Sequence, residues 1–217
     1  MKGKSLLQEA DILPVEFYQR SNVLQIAQQL IGKILCTRID GIVTAGRIVE
    51  TEAYAGIHDR ASHAFGGRQT ARVAPMYAHG GISYVYLCYG IHHLFNVVTN
   101  KVDIPHAILI RALEPVWGIE AMRERLSVSN SGRSIAANDM TIARGPGKLS
   151  RALGIETRHT AMSLMGPEIQ ILDDGFRQPA RSVMRGPRIG VDYAGDDAAL
   201  PYRFFVKDHP AVSGRNK

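Results

Sequence analysis

The hydrophobic pattern changes period several times along the chain, and each change marks an element. Within residues 21–32, Leu24, Ile26, Ala27, Leu30 and Ile31 recur at helical spacing, with Ser21 placed to cap and Gly32 to stop the run. That spacing predicts a helix. From Lys33 the period drops to two, and KILCTRI and IVTAGRIVET read as strands joined by Asp40-Gly41, a dipeptide suited to a tight hairpin. At period two Glu50 and Glu52 share one face where the second strand ends, so a cation, a donor or water must compensate them. Residues 55–74 show little periodicity and predict a long loop with one helical turn.

Residues 73–100 contain no Lys, Arg, Asp or Glu, yet carry Tyr77, Tyr84, Tyr86 and Tyr89 with His79, His92 and His93. Residues 82–87 and 92–99 have strand-like content, and Tyr89-Gly90 supplies a turn between them. A buried hairpin explains Tyr84 and Tyr86, which share a face, but not Tyr89, which should protrude from the turn. Residues 107–113 form an apolar strand interrupted by Arg111, a cation that needs a carboxylate or phosphate there. Pro115 is expected to start a helix reaching about Leu126, and residues 127–143 form a polar excursion. Residues 144–155 predict a short helix with Pro146 first and Gly154 last. Its Gly-rich start, with Lys148 and Arg151 nearby, suits a phosphate without matching a Walker loop. Strands at 168–172 and 202–206 flank a turn-rich basic run of Arg177, Arg181, Arg185 and Arg188, and neither a repeat nor a linker divides the chain.

Composition narrows the function classes only a little. A 217-residue chain with 45% hydrophobic residues suits one large domain, and the net charge of +6 with a pI near 9.5 hints at a polyanionic partner. Cys36 and Cys88 lie far apart without a CxxC, indicating reduced thiols rather than a disulfide framework or zinc-thiolate site. The start of the chain does not read as a secretory signal, and no apolar run reaches membrane-spanning length. The histidines form no HExxH or Cys/His cluster, so no metal is expected, although Glu50, Glu52 and Asp59 remain an alternative hard-ion site. No GxSxG motif recommends a serine nucleophile. Carboxylate chemistry is left: Glu52 with Arg111 can hold and activate a water, with Tyr54, His63 and Tyr86 offering aromatic faces. On the residues alone, an ordinary structural salt bridge between Glu52 and Arg111 is the preferred reading of that pair.

RIVETEAY, SHAFGGRQT, MYAHGGISYVYLCYGIHHLFNVV, ILIRALEP and GPGKLSRALGI, in that order, resemble the alkyladenine (3-methyladenine) DNA glycosylases of the human type, from about Leu30 to Val206. The resemblance implies a monofunctional glycosylase that flips a damaged purine out of duplex DNA and hydrolyses its N-glycosidic bond. By motif it makes Glu52 the general base for water and Arg111 its partner. Tyr54, His63 and Tyr86 become the walls around the flipped base, and Asn96 the side chain that crowds the amino group of normal guanine. Tyr89 becomes the wedge in the minor groove, and Arg68, Gly145 and Lys148 become backbone contacts. Ile91, His92 and His93 stand where the human enzyme has a methionine and an aromatic, so the resemblance does not extend to damage search and fine specificity.

Water attack needs one carboxylate, so Glu50 is left with a structural pairing, and no lysine is placed by motif for strand-nicking lyase chemistry. The expected fold is mixed α/β (α+β): one domain over residues 1–217, with a curved, mostly antiparallel sheet, surrounding helices and the 82–99 hairpin reaching into the DNA minor groove. Its substrates are expected to be alkylated or deaminated purines, namely 3-methyladenine, 7-methylguanine, hypoxanthine and ethenoadenine, in double-stranded DNA. No cofactor and no membrane are expected, and the simplest form is a compact, monomeric, cytoplasmic bacterial enzyme. The rival readings are a non-catalytic binder of damaged or bent DNA and a metal-dependent nuclease using Glu50 and Glu52.

Overall fold

Asp40 and Gly41 turn the chain as their composition requires: both have positive φ, 52° and 75°, the mirror-image turn geometry that suits a two-residue hairpin. The structure, a computed structural model, describes residues 7–127 and 139–214. The turn joins β2 (Ile34–Ile39) to β3 (Ile42–Tyr54), paired from Ile39↔Ile42 to Ile34↔Arg47. β3 then runs on past β2. Along one edge it pairs with β6 (His106–Trp117) as far as Tyr54↔Ala107. On the other edge β9 (Arg203–Val206) replaces β2, with Glu50↔Phe205 and Glu52↔Arg203. The β3–β6 register shifts between Ile48 and Glu50 and again between Glu50 and Thr51. Such irregularities bend a strand and re-aim its side chains. The acidic pair therefore sits where the sheet splits.

The remaining strands are β1 (Asp11–Ile12), β4 (Ser83–Cys88), β5 (His92–Thr99), β7 (Ile169–Asp173) and β8 (Val183–Gly186). They give the order β1-β7-β2-β3-β6-β5-β4, with β9 added to β3 and β8 to β9. Every ladder among the described residues is antiparallel, so the expected curved α+β sheet is present. Helix α1 (Val23–Leu30) buries Val23, Ile26, Ala27 and Leu30, one stripe at helical spacing, against it. Its cap is Asn22 and not Ser21, since the Asn22 side chain accepts from the Gln25 amide at 3.0 Å. Helices α2 (Ile119–Ser127) and α3 (Pro146–Leu153) add Met122, Leu126, Leu149, Ala152 and Leu153 to the same core. No helix among the described residues is long and apolar enough to cross a membrane.

Two stretches differ from the expectation. Pro115 does not start a helix, because β6 continues to Trp117 and pairs Pro115 with Gly46 beside a register shift. An irregular ladder tolerates the missing N–H. The turn into α2 is made at Gly118, with φ 74°, where a Cβ would lie 2.4 Å from the Val43 carbonyl oxygen. The 55–74 loop and the residues just after it contain three short 3-10 turns, Gly56–His58, Phe65–Gly67 and Ala74–Tyr77, where one helical turn was expected. The excursion expected over 127–143 falls largely on residues 128–138, outside the described residues, as does the very start of the chain.

Candidate active site

Glu52 is fully buried at the split in the sheet, yet three donors reach its carboxylate. The Ile189 backbone N–H donates to Oε1 at 2.7 Å, the Tyr54 hydroxyl donates to Oε2 at 2.9 Å, and Arg111 Nη1 lies 3.2 Å from Oε2. An ionised carboxylate has about four acceptor positions, so one remains on the Oε1 side. Glu50 is buried on the same face, as the period-two reading requires, and its partners are Arg203 Nε at 2.7 Å, the Ser213 N–H at 2.7 Å and Arg111 Nε at 3.3 Å. Burial alone would lower the Arg111 pKa, but the Glu52 and Glu50 carboxylates outweigh it and hold the guanidinium above its ordinary value. Burial first and the Glu52 charge second push the Tyr54 phenol well up, so it stays protonated and donates. The hard-ion alternative loses its third ligand here, since Asp59 is forked by Arg188 at 2.5 and 2.7 Å. Among the described residues no group of three His, Cys, Asp or Glu gathers elsewhere for a metal.

Above this floor opens a cleft of about 910 Å³. Tyr54, His63, Tyr86, Leu109, Arg111 and Ile189 line its inner part, and a recess of about 30 Å³ continues from Tyr54, His63 and Tyr86 to Asn96. The His63 and Tyr86 rings meet edge to face with centroids 4.6 Å apart. Asn96 is buried in the recess, where its amide nitrogen donates to the carbonyls of Tyr84 at 3.1 Å and Leu94 at 3.3 Å. His63 Nδ1 lies 2.8 Å from the Tyr84 hydroxyl, which itself receives a bond from Arg72.

Burial, then the charges of Arg72 and Arg68, lower the His63 pKa to about 4, so the ring is neutral around pH 7. Because the folded value is depressed below the unfolded one, this histidine supports folding fully above about pH 6.5, and that support is lost as pH falls toward the folded value. Urea midpoints measured from pH 7 down to pH 4 are expected to fall less steeply for His63→Gln than for the wild type. Parallel slopes would show that His63 charges freely in the fold.

The rim is basic and aromatic. Tyr89 and Gly90 take positive φ, 50° and 73°, in a turn closed by the Ile91 N–H to Cys88 carbonyl bond, and Tyr89 projects from it 91% exposed. Arg68, Gly145 and Lys148 all line the cleft, with Arg60, Arg72 and Arg144 beside them. Gly147 packs on the His92 ring, where a Cβ would come within 3.0 Å, which brings the start of α3 close to the hairpin. The structure thus gathers Glu52, Arg111, Tyr54, His63, Tyr86, Asn96, Tyr89, Arg68, Gly145 and Lys148 around one cleft and its recess.

Several contributors carry no local signal in the sequence. The Ile189 amide, the Arg188–Asp59 pair and Ser213 act through backbone or through partners more than a hundred residues away. Tyr193, which lines both cavities and donates its hydroxyl to the Ala61 carbonyl at 3.1 Å, was legible only as an aromatic in a turn-rich stretch.

The profile of the methylpurine-DNA glycosylases matches residues 16–210. A protein of Chlamydia felis is 42% identical over 195 residues, covering 90% of this chain and 96% of that one. One of Bacillus cereus strain G9842 is 42% identical over 203 residues, covering 92% and 98%, and one of Desulfitobacterium hafniense is 39% identical over 198 residues, covering 91% and 96%. All three are provisionally named 3-methyladenine DNA glycosylases. With a match across nearly its whole length and an aromatic cleft under a basic rim, the chain belongs to the methylpurine-DNA glycosylase family.

Proposed function

We propose that this protein removes alkylated or deaminated purines from double-stranded DNA by hydrolysing the N-glycosidic bond with a water activated by Glu52. The observation that carries the reading is the Glu52 carboxylate, held by the Ile189 N–H and the Tyr54 hydroxyl and paired with Arg111, with an acceptor position spare on Oε1, beneath an aromatic-walled cleft whose lining includes all three partners. Tyr89 enters the minor groove and fills the gap, while the flipped base lies among Tyr54, His63 and Tyr86 with Asn96 opposing the amino group of a normal guanine. Water oxygen bonds to C1′ as the C1′–N bond breaks with its electron pair going to the base, the water proton passes to Glu52, and a base that was not cationic before the bond broke takes up a proton from solvent. The products are the free base and an abasic sugar bearing a 1′-hydroxyl. Glu52 is fully buried in the free protein, so the water is admitted along with the nucleotide as the cleft lining shifts.

Lys148 is the only lysine lining the cleft among the described residues, and it lies at the start of α3 on the rim, which favours hydrolysis without Schiff-base nicking. Arg68, Lys148 and the Gly145 turn contact the backbone phosphates. The cleft is complete within one chain, consistent with a monomer, and free Cys36 and Cys88 suit a reducing, cytoplasmic setting.

The test is incubation with duplexes carrying hypoxanthine or 1,N6-ethenoadenine in EDTA, followed by alkali. Breaks that require alkali support the reading. Binding without breaks at any of several lesions would favour a damage binder, and direct nicking that needs metal would favour a nuclease.

The wedge makes a separate prediction. Tyr89→Ala is expected to slow excision on the order of 10- to 100-fold for a lesion in a stable pair, and by less opposite a mismatch, where flipping costs less. Single-turnover rates on the two duplexes measure it, and an equal loss on both would remove Tyr89 from the flipping step.

A further inference from the structure

Glu50 is the buried ionisable side chain that hydrolysis by Glu52 leaves without a task. Its two short bonds, 2.7 Å to Arg203 Nε and 2.7 Å from the Ser213 N–H, fix it from two directions, and Arg203 is itself tied to the Ser213 carbonyl at 2.9 Å. Arg111 hangs between this fixed point and the proposed base. Its Nε is 3.3 Å from Glu50, its Nη2 donates to the Ser213 hydroxyl at 3.3 Å, and its Nη1 is 3.2 Å from Glu52.

We propose that Glu50, braced by Arg203 and Ser213, is a positioning residue that divides Arg111 between two carboxylates and so leaves Glu52 with a free acceptor for water. The inference rests on Glu52 being the base. An arginine facing one carboxylate alone forms a two-nitrogen fork with it, which occupies both oxygens and stabilises the ionised form. With Glu50 present, Arg111 turns its Nε to Glu50 and its Nη2 to the Ser213 hydroxyl, and its contact with Glu52 is made by Nη1. Charge follows the same logic: Glu50 and Glu52 are matched by Arg111 and Arg203, and the adjoining Asp59 by Arg188. The other groups facing Glu52 are the neutral Tyr54 hydroxyl and the Ile189 N–H. Deleting Glu50 therefore leaves one uncompensated positive charge beside the base. Ser213 comes from the buried segment 211–213, so a segment that follows β9 completes the arrangement.

The experiment compares wild type, Glu50→Gln and Glu50→Gln/Arg203→Gln, the double variant keeping the charges matched. Each is assayed for single-turnover release of hypoxanthine from duplex DNA between about pH 5 and pH 9, alongside thermal melting and a crystal structure. Glu50→Gln is expected to slow release about tenfold or more, to move the acid limb of the pH–rate profile to lower pH, and to bring Arg111 onto Glu52 through two nitrogens. The double variant is expected to return the acid limb toward wild type. Loss only in proportion to the unfolded fraction, with the acid limb and Arg111 unmoved, would make Glu50 merely structural and overturn the proposal. If the wild type releases no base but Arg111 still collapses onto Glu52 in Glu50→Gln, the functional reading falls and the role for water falls with it, while the division of Arg111 between the two carboxylates stands. If Arg111 stays in place, the proposal falls whatever the activity.

Discussion

Glu52→Gln is expected to abolish base release, lowering the single-turnover rate by about two to four orders of magnitude, while leaving binding to lesion-containing duplex detectable. Glutamine keeps the shape but cannot take a proton from water. It also disturbs the local bonding, because the carboxylate accepts from Ile189 N–H on one oxygen and from the Tyr54 hydroxyl on the other, which also pairs with Arg111. An amide has only one acceptor oxygen, so its NH₂ must face a donor on one side. If Oε1 stays on Ile189, the amide nitrogen faces Arg111, and the Tyr54 hydroxyl must turn to accept. Removing one charge from a buried cluster also costs stability, so the rate is compared at a temperature where melting shows the variant folded. The decisive comparison is between base release, read as alkali-labile sites, and duplex retention, read by gel shift. Retention with release lost makes Glu52 chemical rather than architectural. Release within tenfold of wild type would return the Glu52–Arg111 pair to the ordinary structural salt bridge that the residues alone also allow.

The parts of this site that could be read from the chain are those whose signal is local. The Asp40-Gly41 turn, the period-two strand that puts Glu50 and Glu52 on one face, and the uncharged tyrosine hairpin each follow from neighbouring residues. Arg111 stood out because a cation in an apolar strand demands an anion, and the β3–β6 ladder supplies two. Pro115 misled because helix-start chemistry and a strand irregularity tolerate the same missing N–H, and only the cross-strand partner Gly46 decides between them. Glu50 could be assigned a structural pairing, but Arg203 and Ser213, which complete it, lie 153 and 163 positions away. Arg188 was legible only as one member of a basic run, and nothing near it in sequence distinguishes it from the exposed Arg177, Arg181 and Arg185. Its burial follows from Asp59, 129 positions earlier in the chain.

That burial sets the second large effect: Arg188→Met is expected to destabilise the fold by about 3–5 kcal/mol. The Arg188 side chain is 0% exposed and Asp59 2%, so neither charge has water to fall back on. Besides forking Asp59, Arg188 donates to the Ala53 carbonyl at 2.9 Å and the Asp197 carbonyl at 3.3 Å. Its guanidinium also stacks between the rings of Tyr54, 4.9 Å away, and Tyr202, 5.2 Å away. Methionine fills part of the volume and satisfies none of these groups. Asp59 still accepts from the Ala55 and Ala61 amides, at 2.9 and 3.0 Å, but is left as a buried anion without its cation. A melting temperature lower by about 6–20 °C corresponds to that loss in a domain of this size. Asp59→Asn added to Arg188→Met is expected to recover part of it, because the unpaired charge is then gone and only hydrogen bonds and packing stay missing. Activity should fall further than stability explains. Ile189, the next residue, presents the N–H that holds Glu52, and Tyr54, on which Arg188 stacks, is both a cleft wall and a donor to the same carboxylate. Single-turnover rates measured well below the melting transition separate the two effects. A folded Arg188→Met protein with wild-type rate would confine Arg188 to the scaffold, and a melting shift of only a degree or two would mean that the Asp59 charge finds another partner.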